Sequence, residues 1–249
     1  MIIALLKRRL WLWKNRFLSG FILVLIMPVI IFMMVSLPME NILVQSLLGV
    51  PYDIWVLPGL IFIISSLALF PLLHRDFFDL RIHNKVLGNI ALAPYSKNMM
   101  IMSYLFVAGM EAVVAALISM VIYSGFIPFP FSFAQFGFMV LCLLLYILIL
   151  GNLFITVSLL TESITSHLVI TFMIFIIVLF GSGLIIEFSF FPLVVETVLI
   201  FQPLSIPFRT LQIFLSNGMV QWALIGLSLV LALAWILANG FLLKYKLRQ

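Results

Sequence analysis

Long apolar runs alternate with short polar interruptions along this chain, and the spacing of the interruptions predicts its architecture. A helix that crosses a bilayer needs about 20 apolar residues. Six runs meet that length, at 17–37, 54–73, 99–127, 131–160, 168–186 and 220–243. Pro28 marks a kink in the first, Pro71 the exit of the second, and Glu111 interrupts the third. Between the first two runs, 38–53 reads as a short outer loop. Phe129-Pro130-Phe131 reads as a tight outer turn, and Thr161–His167 as a short polar connection.

Before the first run, residues 1–16 carry a different pattern. Ile3, Leu6, Leu10, Trp13 and Phe17 recur at steps of three and four, which place them on one helical face. Lys7, Arg8, Lys14 and Asn15 fall mostly opposite. A basic amphipathic helix with tryptophans lies flat among lipid headgroups; a ragged extension of the first span is the alternative. No small-residue cleavage site follows this basic start, so the segment is expected to be retained.

The stretch 187–217 fits neither pattern, because Pro192, Pro203 and Pro207 punctuate an apolar segment that also holds Glu187, Glu196 and Arg209. Proline inside a helix costs about 3 kcal/mol or more, but at a first turn it is well tolerated. Two short helices, beginning near Pro192 and Pro207, therefore fit better than one crossing. Charge decides the topology. With six spans and both termini inside, Lys7, Arg8, Arg9, Lys14, Arg16, Arg75, Arg81, Lys85, Lys97, Lys244, Lys246 and Arg248 are all cytoplasmic and only Arg209 is outside. Cytoplasmic loops carry this excess of Lys and Arg. A seventh span would export the three C-terminal charges, so the proline-rich segment is expected to be a re-entrant pair dipping in from the outer face. Such backbone is tolerated at depth only when it is buried in protein or lines water.

Composition agrees with the pattern. Of 249 residues 65% are hydrophobic and 8% charged, with a mean hydropathy of +1.35. Soluble domains carry about 25% charged residues, so this chain has too few to cover a water-facing surface. The expected fold is all-α, a single transmembrane domain over 1–249 in a plasma (inner) membrane. The net charge of +5 follows the membrane topology and does not call for nucleic acid. The lone Cys142 excludes intrachain disulfides.

Candidate chemistry is sparse. No G-x-x-x-x-G-K-[ST] loop is present, so ATP is not bound by that route. His74, His83, His167 and Cys142 show no metal-ligand spacing, and no cluster of His, Asp or Glu at one depth suggests an enzyme. Glu111 is the main intramembrane charge, and such a carboxylate faces a cavity or a partner. It reads as a pathway group, a helix-packing contact or a protonated carboxyl bonded to a neighbouring helix. Ala108, Ala112 and Ala116 beside it let another helix approach closely. The main polar feature is His74–Asn98, HRDFFDLRIHNKVLGNIALAPYSKN, which lies between the second and third runs. Its first part, 75–81, reads as the solvated exit of the second span, and 84–94 as a short amphipathic helix.

Two motifs carry a family resemblance. In Leu87–Asn98, LGNIALAPYSKN, a leucine-rich amphipathic segment closes in a small residue, proline and a polar turn. Gln202-Pro203-Leu204-Ser205 stands where an Asn-Pro-Leu-Thr is common before the last span. Together with an interfacial helix, six spans and a re-entrant pair, these resemble the type-2 ATP-binding-cassette (ABC) exporter permeases. The sequence departs from that family at Lys85-Val86, in place of its usual Gly-Thr, and at Gln202, in place of its Asn.

The resemblance implies a half-transporter that dimerises and docks two copies of a separate ATPase, which bind ATP and magnesium; this chain binds no cofactor itself. Lys85, Val86, Leu87, Ile90, Ala91 and Pro94 would couple it to the ATPase, with Val86, Leu87, Ile90 and Ala91 as apolar anchors. Asp79, Arg81 and Lys85 would form the rim. A helix resting only on the membrane is the plainer alternative. Few interior charges point to a hydrophobic, amphiphilic or lipid-linked cargo, such as a lipid-linked glycan or a drug. The competing readings are a secondary transporter or another membrane protein acting without an ATPase.

Overall fold

In the computed structural model, residues 1–15, 17–43, 51–92, 94–127 and 131–246 are described. Arg16, the 44–50 part of the outer loop, Ala93, Phe129-Pro130 and Arg248 lie outside them, as does the side chain of Ala91.

Serines start three of the long helices, because a side-chain oxygen at the N-cap satisfies an amide that the helix leaves unpaired. Ser96 accepts from the Met99 amide at 3.2 Å, and Ser163 from the Ser166 amide at 3.1 Å. Ser132 and Gln135 form a reciprocal capping box. The helices are α1 (Ile2–Asn15), α2 (Phe17–Ile31), α3 (Tyr52–Leu73), α4 (Leu87–Ala91) and α5 (Lys97–Tyr123), then α6 (Phe133–Leu160), α7 (Ile164–Gly181), α8 (Leu193–Phe201), α9 (Ser205–Asn217) and α10 (Trp222–Lys246). A π-helical segment, Phe32–Ser36, carries α2 on to Glu40. No strand occurs among the described residues.

Among the described residues six helices are long and apolar enough to cross a membrane, and the pair α8 and α9 bends by 101° at its junction. At the centre stands α3, packed on α5, α6 and α2. Close approach is built into these contacts: Ala108, Ala112 and Ala116 are all buried, and a Cβ on Gly109 would stand 3.2 Å from Ile147 of α6. Polar groups join α6 to α10. Asn239 donates to the Asn152 side chain at 3.1 Å, and Thr156 donates to Asn239 at 2.7 Å. Trp235 donates to Thr156 at 2.9 Å.

Several boundaries differ from the sequence expectation. The second run does not end at Leu73. A π-helical segment, His74–Asp79, and Leu80–Ile82 continue it, so the apolar helix reaches from Ile54 to Ile82, 29 residues. At 1.5 Å per residue that is about 43 Å, against about 30 Å of hydrocarbon. The fifth run ends at Gly181 instead of 186, because Gly183 has a φ of 75° and the chain leaves the helix there. The connection before it shrinks to Thr161–Ser163, and His167 becomes a buried helix residue.

After Gly181, non-helical backbone runs into the bundle and residues 181–185 are buried. A Cβ on Gly59 of α3 would collide with the carbonyl of Leu184, so only glycine permits this approach. Tyr52 ties the segment down by donating to the Ile185 carbonyl at 2.9 Å.

Candidate functional site

The end of the molecule that bears residues 74–98 holds most of its buried charge. Here the structure departs from the expectation of a solvated exit at 75–81. Asp76, Phe77 and Phe78 are three consecutive buried residues, which an isolated amphipathic helix does not produce. They are buried because neighbours stand on both sides of the extended α3. Phe77 packs edge-on against Tyr104 of α5, and Phe78 stacks on His167 of α7 at 4.5 Å.

Asp76 faces α1. Its carboxylate accepts from the Arg9 guanidinium at 2.5 Å, with Arg8 at 3.5 Å and Arg75 at 3.6 Å. The Nε of Arg9 also lies 3.2 Å from Glu111 of α5, which accepts from the Trp13 indole at 3.3 Å. A single arginine, only 6% exposed, thus holds carboxylates from two core helices. Buried carboxylates are stable only when paired, so this lock fixes α1 to the bundle. It also gives Glu111 a helix-packing role, directed to α1 instead of to the stripe of alanines. Sequence reasoning missed Arg9 and Asp76. Arg9 lies to one side of the apolar face of Ile3, Leu6, Leu10 and Trp13, so the periodicity did not mark it for burial.

The lock changes the picture of α1. Ile3, Leu10 and Trp11 point outward and are more than half exposed, whereas Arg9 is the most buried residue of the helix. Its apolar side chains are divided between the protein and the surroundings.

Arg81 serves the other side of α3. It donates to the carbonyls of Leu159, at 2.9 Å, and Thr161, the last acceptors of α6. Lys246, at the end of α10, reaches Glu162 at 3.1 Å. Hydrogen bonding from Lys246 holds the exposed Glu162 carboxyl below the ordinary carboxylate range. Beside them the His74 and His167 rings lie tilted with centres 4.7 Å apart, Thr161 bonds His167 at 3.0 Å, and Asp79 lies 3.4 Å from both His74 and His83. Among the described residues, no three His, Cys, Asp or Glu side chains are placed to hold a metal ion.

From Ile82 the chain turns through Lys85, which has a φ of 52°. Glycine adopts this conformation freely, and a lysine does so at a cost of about 1–2 kcal/mol. The Val86 amide bonds back to the Leu80 carbonyl at 2.9 Å, and α4 follows.

The expected apolar anchors divide at α4. Leu87 is fully buried and Ile90 is partly buried against the core. They hold α4 to the bundle and form the internal half of an amphipathic helix. The outward face carries Val86 at 40% exposure, Leu92 at 84% and Tyr95 at 43%. Gly88 and Asn89 lie beside them, and Pro94 is exposed after the helix.

At the opposite end, Pro192 caps α8, Glu196 lies in its first turn, and Pro203 stands in the bend. Pro207 occupies the first turn of α9 and is buried, and Arg209 follows half-buried. Gln202 donates to the carbonyl of Gly181 and, at 3.2 Å, to the Ser182 hydroxyl. Ser205 bridges the bend by donating to the Leu199 carbonyl at 2.8 Å. A cavity of about 300 Å³ opens here between the starts of α3 and α6 and the length of α9, walled by Trp55, Pro58, Gln135, Phe208 and Gln212.

No known family model matches this chain, and neither a curated protein nor a solved structure is significantly similar to it. The molecule is classed by its fold alone: among the described residues, a helical bundle without strands, six of whose helices are long and apolar enough to cross a membrane.

Proposed function

We propose that this chain is the membrane-spanning permease subunit of an ATP-driven exporter of the type-2 ABC class. It works as a dimer with two copies of a separate ATPase, which binds ATP and magnesium. The observation that carries the reading is the division of α4. Buried Leu87 fixes the helix in one pose, while Val86 before it and Leu92 and Tyr95 after it leave apolar surface exposed. An amphipathic helix anchored on one side and bare on the other suits insertion into a groove of a partner.

The arrangement around it supports transmission. The exit of α3, the start of α1 and the ends of α6 and α10 are joined by Arg9, Arg81 and Lys246. Movement of α4 therefore acts on several long helices together. In this reading α1 lies in the headgroup region of the plasma membrane, both termini are cytoplasmic, and α8 and α9 are a re-entrant pair from the outer face. The cavity beside α9 is one protomer's share of an outward vestibule. Its lining suits a hydrophobic, amphiphilic or lipid-linked cargo such as a lipid-linked glycan or a drug.

A secondary transporter acting alone is the competing reading, and Asp76 and Glu111 would be its coupling charges. Both carboxylates are ion-paired with Arg9, which favours a structural role for them. Purification from native membranes and reconstitution into vesicles separates the two. Export that requires ATP hydrolysis by a co-purified ABC ATPase is expected. Transport by the chain alone, driven by an ion gradient, overturns the proposal.

A further inference from the structure

Two cavities lie side by side under α1, on either side of the Trp13–Glu111 contact. One, of about 340 Å³, is walled by Val24, Ala68, Leu72 and Ala115. The other, of about 280 Å³, is walled by Leu6, Val107, Met110 and Val114. Both are half-open and almost wholly apolar, and they share Arg9, Trp13, Val24, Glu111 and Ala115.

Arg75 stands at the edge of the larger cavity. Its Nε and one terminal nitrogen are enclosed and make no hydrogen bond. The nearest carboxylate oxygen, on Asp76, is 3.6 Å away, and that carboxylate is already held by Arg9 and approached by Arg8. Three arginines, Arg8, Arg9 and Arg75, thus share two carboxylates, Asp76 and Glu111, leaving one positive charge uncompensated. An enclosed guanidinium without an acceptor is unfavourable. The Arg75 side chain as a whole is 31% exposed, and an oxyanion that reaches it there supplies the missing negative charge.

We propose that this cleft binds an anionic diacyl phospholipid. Its phosphate accepts from Arg75, and its two acyl chains occupy the two apolar cavities. The outward Ile3, Leu10 and Trp11 of α1 suit headgroup depth, where such a lipid is supplied by the bilayer itself. The bound lipid completes the charge balance of the lock between α1, α3 and α5. A free phosphate would satisfy Arg75 but leave the apolar volume empty.

The test uses the purified, delipidated full chain in a neutral detergent. It is titrated with dioleoylphosphatidylglycerol, dioleoylphosphatidylcholine or inorganic phosphate, followed by thermal unfolding and native mass spectrometry. One phosphatidylglycerol per chain is expected, bound at least about tenfold more tightly than phosphatidylcholine, as the loss of one charged hydrogen bond implies. Arg75→Gln removes that preference and Arg75→Lys restores part of it. Ala115→Phe, which intrudes into the wall that both cavities share, weakens phosphatidylglycerol binding although Arg75 is intact. Should Ala115→Phe fail to fold, the Arg75 pair decides alone. Equal binding of the two lipids, unchanged binding by Arg75→Gln, or equal stabilisation by inorganic phosphate overturns the proposal. No ATPase takes part, so the outcome is independent of the transport reading.

Discussion

Arg9 is the residue on which most depends at the smallest scale. Removing one partner of a buried ion pair leaves the other uncompensated, and typical losses are about 3–5 kcal/mol. Arg9→Met is therefore expected to destabilise the protein by that order in denaturant unfolding, because Glu111 loses its cation and Asp76 loses the closest of its three. Asp76→Asn in the Arg9→Met background should recover part of the loss, a coupling that a double-mutant cycle measures directly. Additive effects of the two changes would contradict the lock. Lys85 makes a second prediction at this scale. Its left-handed backbone means that Lys85→Gly should cost no stability, whereas Lys85→Val should cost more than about 1 kcal/mol. Both residues show what the sequence concealed. Arg9 looked like one of five basic residues near the N-terminus, and nothing in its neighbours disclosed that its partners lie 67 and 102 positions away. Lys85 gave no sign in the sequence of its left-handed backbone, because lysine rarely adopts it.

At the scale of elements, the spans were legible because burial in lipid demands continuous apolar runs, and that signal is strong. Their ends were less legible. Helix α3 overran its expected end by nine residues, because contacts on both flanks bury residues that would otherwise read as a polar exit. Helix α7 ended early because the glycine turn at Gly183 lies inside an apolar run. The proline pattern of 187–217 marked both short helices, since proline constrains the local chain wherever it stands. Contacts between elements were not legible, and they make two predictions. Gly59→Ala should displace the buried strand-like passage around Leu184 and destabilise by about 1–3 kcal/mol, as overpacking does. An unchanged unfolding midpoint would contradict that close approach. The clasp between Glu162 and Lys246 should depend on pH. Its carboxyl is lowered in the folded state, so the stabilisation is present above the ordinary carboxylate range and disappears as pH falls through the lowered value. Melting temperatures of the wild type and Glu162→Gln should differ at neutral pH and converge in acid.

At the scale of the whole molecule, one end gathers the lock, the capping arginine, the C-terminal clasp and α4, while the other holds the bent pair and its cavity. That polarity suits a machine driven from one face and open at the other. The charge distribution along the sequence marked 74–98 as the main polar feature, but it could not show which half of α4 is exposed. The central claim is that the outward face of α4 engages an ATPase, and thiol cross-linking tests it most directly. Cys142 is fully buried, so the native chain gives little background. Leu92→Cys and Val86→Cys should each cross-link to a co-purified ABC ATPase, while Leu87→Cys, enclosed in the bundle, should not. Equal labelling at all three positions, or no cross-link to an ATPase from either exposed position, would contradict the account.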